Sequence, residues 1–88
     1  MKPYKQVIEN NVIVRTFSKD VESEELVWHR DRKDRVVKVT KSEGWKFQYD
    51  DDIPFELNSG DTIVIPKETF HRILKGNGDL VIEIEEFE

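Results

Sequence analysis

The sequence predicts an all-β protein, a small sandwich or barrel, and three observations carry that expectation. Hydrophobic residues recur with a period of two, as in Val12, Val14 and Thr16 set against Ile13, Arg15 and Phe17. The alternating runs are enriched in Val, Ile, Thr and aromatics, which suit a pleated, half-buried surface. Turn signals separate many of these runs at intervals of about 8–12 residues.

Taken in order, strands are expected over 6–9 and 11–18, on either side of Asn10-Asn11. Asparagine tolerates the positive φ that a tight hairpin turn requires. Beyond Lys19-Asp20 a single helical turn, Val21 to Glu25, is too short to shape the fold, and a strand is expected over 25–30. The next strands are 34–41, 45–50 and 54–57, punctuated by Ser42-Glu43-Gly44 and Asp50-Asp51-Asp52. The last three are 61–65, 69–75 and 79–86, with Gly76-Asn77-Gly78-Asp79 as the final turn. Pro54 and Pro66 fall at strand ends, where a missing N–H does least harm. The aspartate triplet lacks the spaced pattern and glycine of a calcium loop and reads as a solvated turn. The acidic run 83–88 reads as a solvated edge that discourages sheet-to-sheet pairing. Trp28, Trp45, Phe47 and Tyr49 read as core or dimer-interface aromatics. With no repeat, linker or low-complexity segment, residues 1–88 are expected to form one domain.

Composition excludes several classes of function. With 36% hydrophobic and 38% charged residues in 88, the core must be thin. Fourteen basic residues stand against 19 acidic ones, a formal net charge of −5. The basic residues are interleaved with acids, which argues against a nucleic-acid surface. The absence of cysteine removes disulfides, thiol nucleophiles and thiolate metal sites together. No apolar run approaches the roughly 18 residues of a membrane span and no signal-peptide pattern opens the chain, so the expectation is a cytoplasmic protein without membrane partners.

Only two histidines are present, and the chemistry turns on them. On the odd-numbered face from 27 to 39, Val27, Val37 and Val39 bracket His29, Asp31, Lys33 and Arg35. If parity is kept through the turn at 31–34, the apolar ends turn His29, Asp31 and Arg35 inward. Buried groups of this kind must be paired, hydrated or bound to something. A His-x-Asp pair on a strand projects both side chains from one face, about 6–7 Å apart at the α-carbons, so both can reach one ion. A second imidazole from His71 would complete two histidines and a carboxylate, the donor set of non-haem Fe(II) oxygenases, which also suits zinc, manganese or nickel. Whether His71 meets His29 depends on the fold.

The segment Gly60-Asp61-Thr62-Ile63-Val64-Ile65-Pro66, followed by Phe70-His71, resembles the second motif of the cupin superfamily. The family's glycine two residues after the proline is Glu68 here, and its asparagine four after the histidine is Lys75. Trp28-His29-Arg30-Asp31 resembles the first motif, with Asp31 in place of the second histidine and Arg35 or Val36 at the glutamate position. Trp28 to Arg35 and Gly44 to Gln48 also look like a group of very small cupins, some encoded by bacteriophages. The resemblance covers residues 25–86 and implies a double-stranded β-helix, a jelly-roll barrel with an open mouth. Carried over by position, it implies a divalent metal (Fe, Zn, Ni or Mn) held by His29, Asp31 and His71.

An arginine at the glutamate position puts a fixed charge near that ion, and three readings stay open. Arg35 swings away and Asp34 substitutes; Arg35 grips a substrate carboxylate or phosphate; or it pairs with Asp31 in a site that has lost its metal. Gln48 is the second candidate substrate-binding residue; it lies on the opposite face of its strand from Trp45 and Phe47, so only one of these sets can face the lumen. Three functions follow: a metal-dependent small-molecule oxygenase or isomerase, a non-catalytic ligand-binding module, or a structural dimer. A homodimer is expected in each case, because a thin barrel gains buried area by pairing.

Overall fold

The computed structural model describes residues 3–23 and 26–88. It contains eight strands: β1 (Lys5–Glu9), β2 (Val12–Phe17), β3 (Asp34–Lys41), β4 (Lys46–Tyr49), β5 (Phe55–Glu56), β6 (Thr62–Ile65), β7 (His71–Leu74) and β8 (Leu80–Phe87). All pairings are antiparallel, in a five-stranded sheet of order β1-β2-β8-β3-β6 and a three-stranded sheet of order β5-β4-β7. The β1–β2 hairpin closes at Glu9 opposite Val12, with Asn10 and Asn11 at φ +49° and +67°. Positive φ at both central residues matches the right-handed strand twist, which is why this dipeptide serves here.

The period of two becomes an apolar interior. Phe17, Val37, Val39, Ile63, Ile65, Leu80, Ile82 and Ile84 of the larger sheet are buried, with Phe47 of the smaller sheet and Trp45 just before it. The Tyr49 hydroxyl donates to the Val64 carbonyl at 2.5 Å, tying the two sheets together. At one end of the interior Trp45 is fully buried and its indole N–H donates to the Gly78 carbonyl at 2.7 Å. A β-carbon on Gly76 would collide with the Glu43 carbonyl and the Trp45 backbone nitrogen, so this close approach requires glycine.

The expected strand over 25–30 is not formed among its described residues. His29 alone pairs there, as an isolated bridge to His71, while Val27 and Trp28 are exposed. The Asp31 carbonyl accepts instead from the Glu68 backbone N–H at 2.7 Å, so a loop satisfies the chain where a ladder was expected. Glu24 and Glu25, which end the expected helical turn, lie outside the described residues. No helix among the described residues is long and apolar enough to cross a membrane.

Candidate metal centre

Between the sheets lies a chamber of about 320 Å³. Its walls are mostly apolar, and its polar lining comes from His29, Asp31, His71, Arg35 and Arg15. The backbones of His29 and His71 exchange two hydrogen bonds, of 3.0 and 2.9 Å, which sets the rings edge to face with centroids 4.3 Å apart. The other edge of β7 pairs with β4, bringing Tyr49 opposite His71, and Phe47 stacks on the His71 ring at 5.6 Å. Nonlocal pairing therefore delivers the second imidazole to the His-x-Asp segment.

Hydrogen bonding fixes the orientation of both rings. Nδ1 of His29 donates to the Val27 carbonyl at 3.0 Å, and Nδ1 of His71 donates to the Thr69 carbonyl at 2.9 Å. A carbonyl only accepts, so in each neutral ring Nε2 carries the lone pair. His71 is 3% exposed, and burial lowers its pKa from the ordinary value, reinforced by His29 and Arg35 against the Thr69 carbonyl and Asp31. The ring is therefore neutral at pH 7. Its Nε2 faces Asp31 Oδ2 at 3.4 Å, and that oxygen is buried with no hydrogen-bond partner. Two acceptors facing each other in a buried site repel unless a cation lies between them.

The donor atoms of His29, Asp31 and His71 lie within 4.8 Å of one another. An ion about 2.1 Å from each donor holds adjacent donors roughly 3.0–3.4 Å apart. The His71–Asp31 pair already has that spacing, and His29 is the exposed member of the three. Two imidazoles and one carboxylate suit iron, manganese, nickel or zinc, and leave coordination positions open. The three residues could therefore hold a divalent metal.

Arg35 sits beside this group with its charge already compensated. Its Nε and Nη2 donate to Glu86 Oε2 at 2.9 and 2.8 Å, and Nη1 lies 3.3 Å from Asp31 Oδ1. One carboxylate oxygen of Asp31 is thereby held, and the other is left toward His71. Carboxylate ligands of metals are commonly oriented by such outer partners. Asp34 does not substitute as a ligand: its Oδ1 accepts from the Lys67 backbone N–H at 2.8 Å. Lys33 leaves the inward series altogether and pairs with Glu88 at 3.4 Å in solvent.

Gln48 does not join the chamber. Phe47 takes the inward position, so Gln48 projects to the opposite face, where its amide donates to the Asp52 carbonyl at 2.8 Å and accepts from Arg72 at 2.9 Å. Arg72 lies in turn over the Trp28 ring, 4.6 Å from its centroid. Two residues that sequence reasoning passed over do matter. Glu86 lies on the exposed acidic strand end as expected yet also pairs with Arg35, and Arg15 lines the chamber. Both were signalled by parity: Glu86 extends the inward series Leu80, Ile82, Ile84, and Arg15 lies between the inward Ile13 and Phe17.

No family model and no curated protein matches the sequence. Solved structures do match. A cupin-2 domain containing protein from Shewanella frigidimarina is 26% identical, with a TM-score of 0.66 over 96% of this chain and 79% of that one. A cupin domain protein from Bordetella pertussis is 19% identical, with a TM-score of 0.64 over 100% of this chain and 98% of that one. Fe(II) HppE, at 14% identity, has a TM-score of 0.69 over 96% of this chain and 48% of its own. Two facing antiparallel sheets around an open chamber are thus the cupin jelly roll, the double-stranded β-helix that the motifs implied. The chain has the fold of the cupin superfamily. Glu68, two residues after the second-motif proline, adopts φ +61°, a conformation that favours glycine.

Proposed function

We propose that this chain binds one divalent metal ion through His29 Nε2, Asp31 Oδ2 and His71 Nε2 and presents it to a small molecule held in the chamber. The observation that carries the reading is the buried, unpartnered Asp31 Oδ2 facing the His71 lone pair at 3.4 Å. Burial disfavours a proton on His71, so a metal ion is the better occupant. The arginine that threatened the site in sequence supports it, because Glu86 and Asp31 absorb its charge and Arg35 orients the ligand carboxylate. Fe(II) in HppE, a neighbour in fold, favours iron among the candidates. Such an ion supplies Lewis acidity and open positions for a substrate, which suits an oxygenase or an isomerase. The chain's own residues bind and orient the ion, while the apolar walls limit water around it.

Elemental analysis of protein purified without a polyhistidine tag tests this. Stoichiometric metal, lost in His29→Ala and in His71→Ala, is the expected result. Protein that arrives metal-free and takes up no added Fe(II), Mn(II), Ni(II) or Zn(II) sinks the reading. Pairing into a homodimer is part of the same proposal. Edge strand β1 is exposed along its length, with Val7 and Ile8 at 56% and 65%, and offers a ladder to a second copy. Light scattering that gives the mass of a monomer across the micromolar range refutes that part.

A further inference from the structure

The two arginines lining the chamber are partnered differently. Arg35 is held by two carboxylates. The direct contacts of Arg15, on β2, are with neutral groups among the described residues: its Nε and Nη2 donate to the Gln6 amide oxygen at 3.0 and 2.7 Å, and its guanidinium lies 3.9 Å from the centroid of the Tyr4 ring. Among the described residues no carboxylate comes within ion-pair distance of it. Gln6 occupies one edge of the guanidinium and Tyr4 covers a face. The terminal edge, Nη1 with the second N–H of Nη2, has no partner among the described residues, and that edge is the fork that matches a carboxylate.

The placement also fits a ligand that spans the chamber. Arg15 stands opposite Ile82 on β8 and Arg35 opposite Glu86, four residues or about 13 Å of backbone further along, with the Arg15 side chain still close enough to feel the charges of Arg35, Asp31 and Glu86. The rest of the chamber wall is apolar and includes Phe17, Phe47, Leu57, Ile63, Ile73 and Ile84. Charge points the same way. Arg15 and Arg35 balance Asp31 and Glu86, so a divalent ion at the metal centre leaves the chamber two charges positive. Burial lowers the Arg15 pKa from its ordinary value, yet an arginine remains charged at any working pH and stays in want of an anion.

We propose that Arg15 is the anion anchor of the chamber and that the ligand is a small organic monocarboxylate, its carboxylate on the Arg15 fork and its apolar body along the walls toward the metal centre. The charge argument rests on the metal reading; the unpaired fork and the apolar walls do not. Anion recognition thereby moves from Arg35 to a residue that neither cupin motif contains.

Calorimetric titration with straight-chain carboxylates from propionate to octanoate, and with hexanamide as a neutral analogue, tests this on metal-free and Mn(II)-loaded protein. Hexanoate should bind and hexanamide should bind at least about tenfold more weakly. Arg15→Gln should abolish the preference, and Arg15→Lys should keep part of it. Equal binding of hexanoate and hexanamide by the wild-type chain overturns the inference, as does absence of binding across the series or an unchanged preference in Arg15→Gln. The wild-type comparison needs no variant, so a poorly folding Arg15→Gln does not blunt the test. A preference in metal-free protein that takes up no Mn(II) upholds Arg15 while the metal reading falls. Uptake of Mn(II) without any preference does the reverse.

Discussion

The two ends of β7 are built to opposite specifications. Past Leu74 the chain enters a turn where everything is filled: Gly76 lies against Trp45, the indole donates to Gly78, and the Asn77 N–H donates to the Glu43 carbonyl at 2.8 Å. At the other end His71 brings a lone pair against an unpartnered carboxylate oxygen, and the facing segment is joined by a single bridge. One strand thus carries a stabilising lock and a site with unmet bonding capacity, separated by its own length. Groups that remain unsatisfied cost stability, and the lock is where the fold recovers it.

The largest expected effect breaks the lock. Gly76→Ala forces backbone to move at Glu43 and Trp45, and should lower stability by at least about 3 kcal/mol in denaturant unfolding. Because the two ends are separate, whatever fraction folds should still take up metal. A folded Gly76→Ala that has lost metal uptake would show the ends to be coupled. The histidines sharpen the contrast from the other side. His71→Ala opens a cavity beside Phe47 and should cost about 2–3 kcal/mol as well as the metal. His29→Ala should remove the metal with stability changed by only about 0.5 kcal/mol, because that ring is exposed. A His29→Ala variant as unstable as His71→Ala would mean that the bridge, rather than the ion, is the role of the pair.

Those expectations rest on features of unequal visibility in the sequence. Strand parity is readable, because alternation is a local property, and it places Arg35, Val37 and Val39 of β3 on the inward side as found, while His29 and Asp31 reach the chamber from a loop. The same parity, carried one step further along β8 and read on β2, points to Glu86 and Arg15. The misreading at 25–30 has the same origin. Val27, His29 and Asp31 alternate as a strand does, yet backbone pairing is a nonlocal event and of the three only His29 forms a β-bridge. The meeting of His29 with His71 is nonlocal too, and the motif resemblance, not the pattern, anticipated it. For Gln48 and Phe47 the sequence leaves the lumen face open, because parity cannot say which face of an isolated strand is inward; Phe47 takes it by its larger apolar area.

Acid should weaken the site end alone. His71 has its pKa lowered by burial, so the unfolded chain binds a proton more readily than the folded one. Its contribution to stability is complete above the unfolded value, about pH 6.5, and is lost as pH falls through the lowered folded value. Metal-free protein should therefore lose stability between pH 7 and 5 by more than His71→Ala does, and bound metal should be released over the same fall because protons compete for Nε2. Parallel slopes for the two proteins in denaturant titrations at pH 7 and 5 would remove His71 as the titrating group.

The smallest effect concerns the loop that holds the facing segment. Glu68 adopts φ +61°, a conformation costing a side-chain-bearing residue about 1 kcal/mol or more, while its N–H holds the Asp31 carbonyl. Its carboxylate lies 3.3 Å from the Arg30 guanidinium, with both side chains half exposed, a pair worth a few tenths of a kcal/mol, or about 0.3. Glu68→Gly relieves the backbone, gives up the ion pair and adds freedom to the unfolded chain. The strain is the largest of these, so a net gain of about 0.5 kcal/mol is expected, with metal uptake unchanged because glycine keeps the N–H that holds Asp31. A loss of stability instead, accompanied by weaker metal binding, would mean that the Arg30–Glu68 pair holds the His29–Asp31 segment in place, and that this end of β7 has a lock of its own.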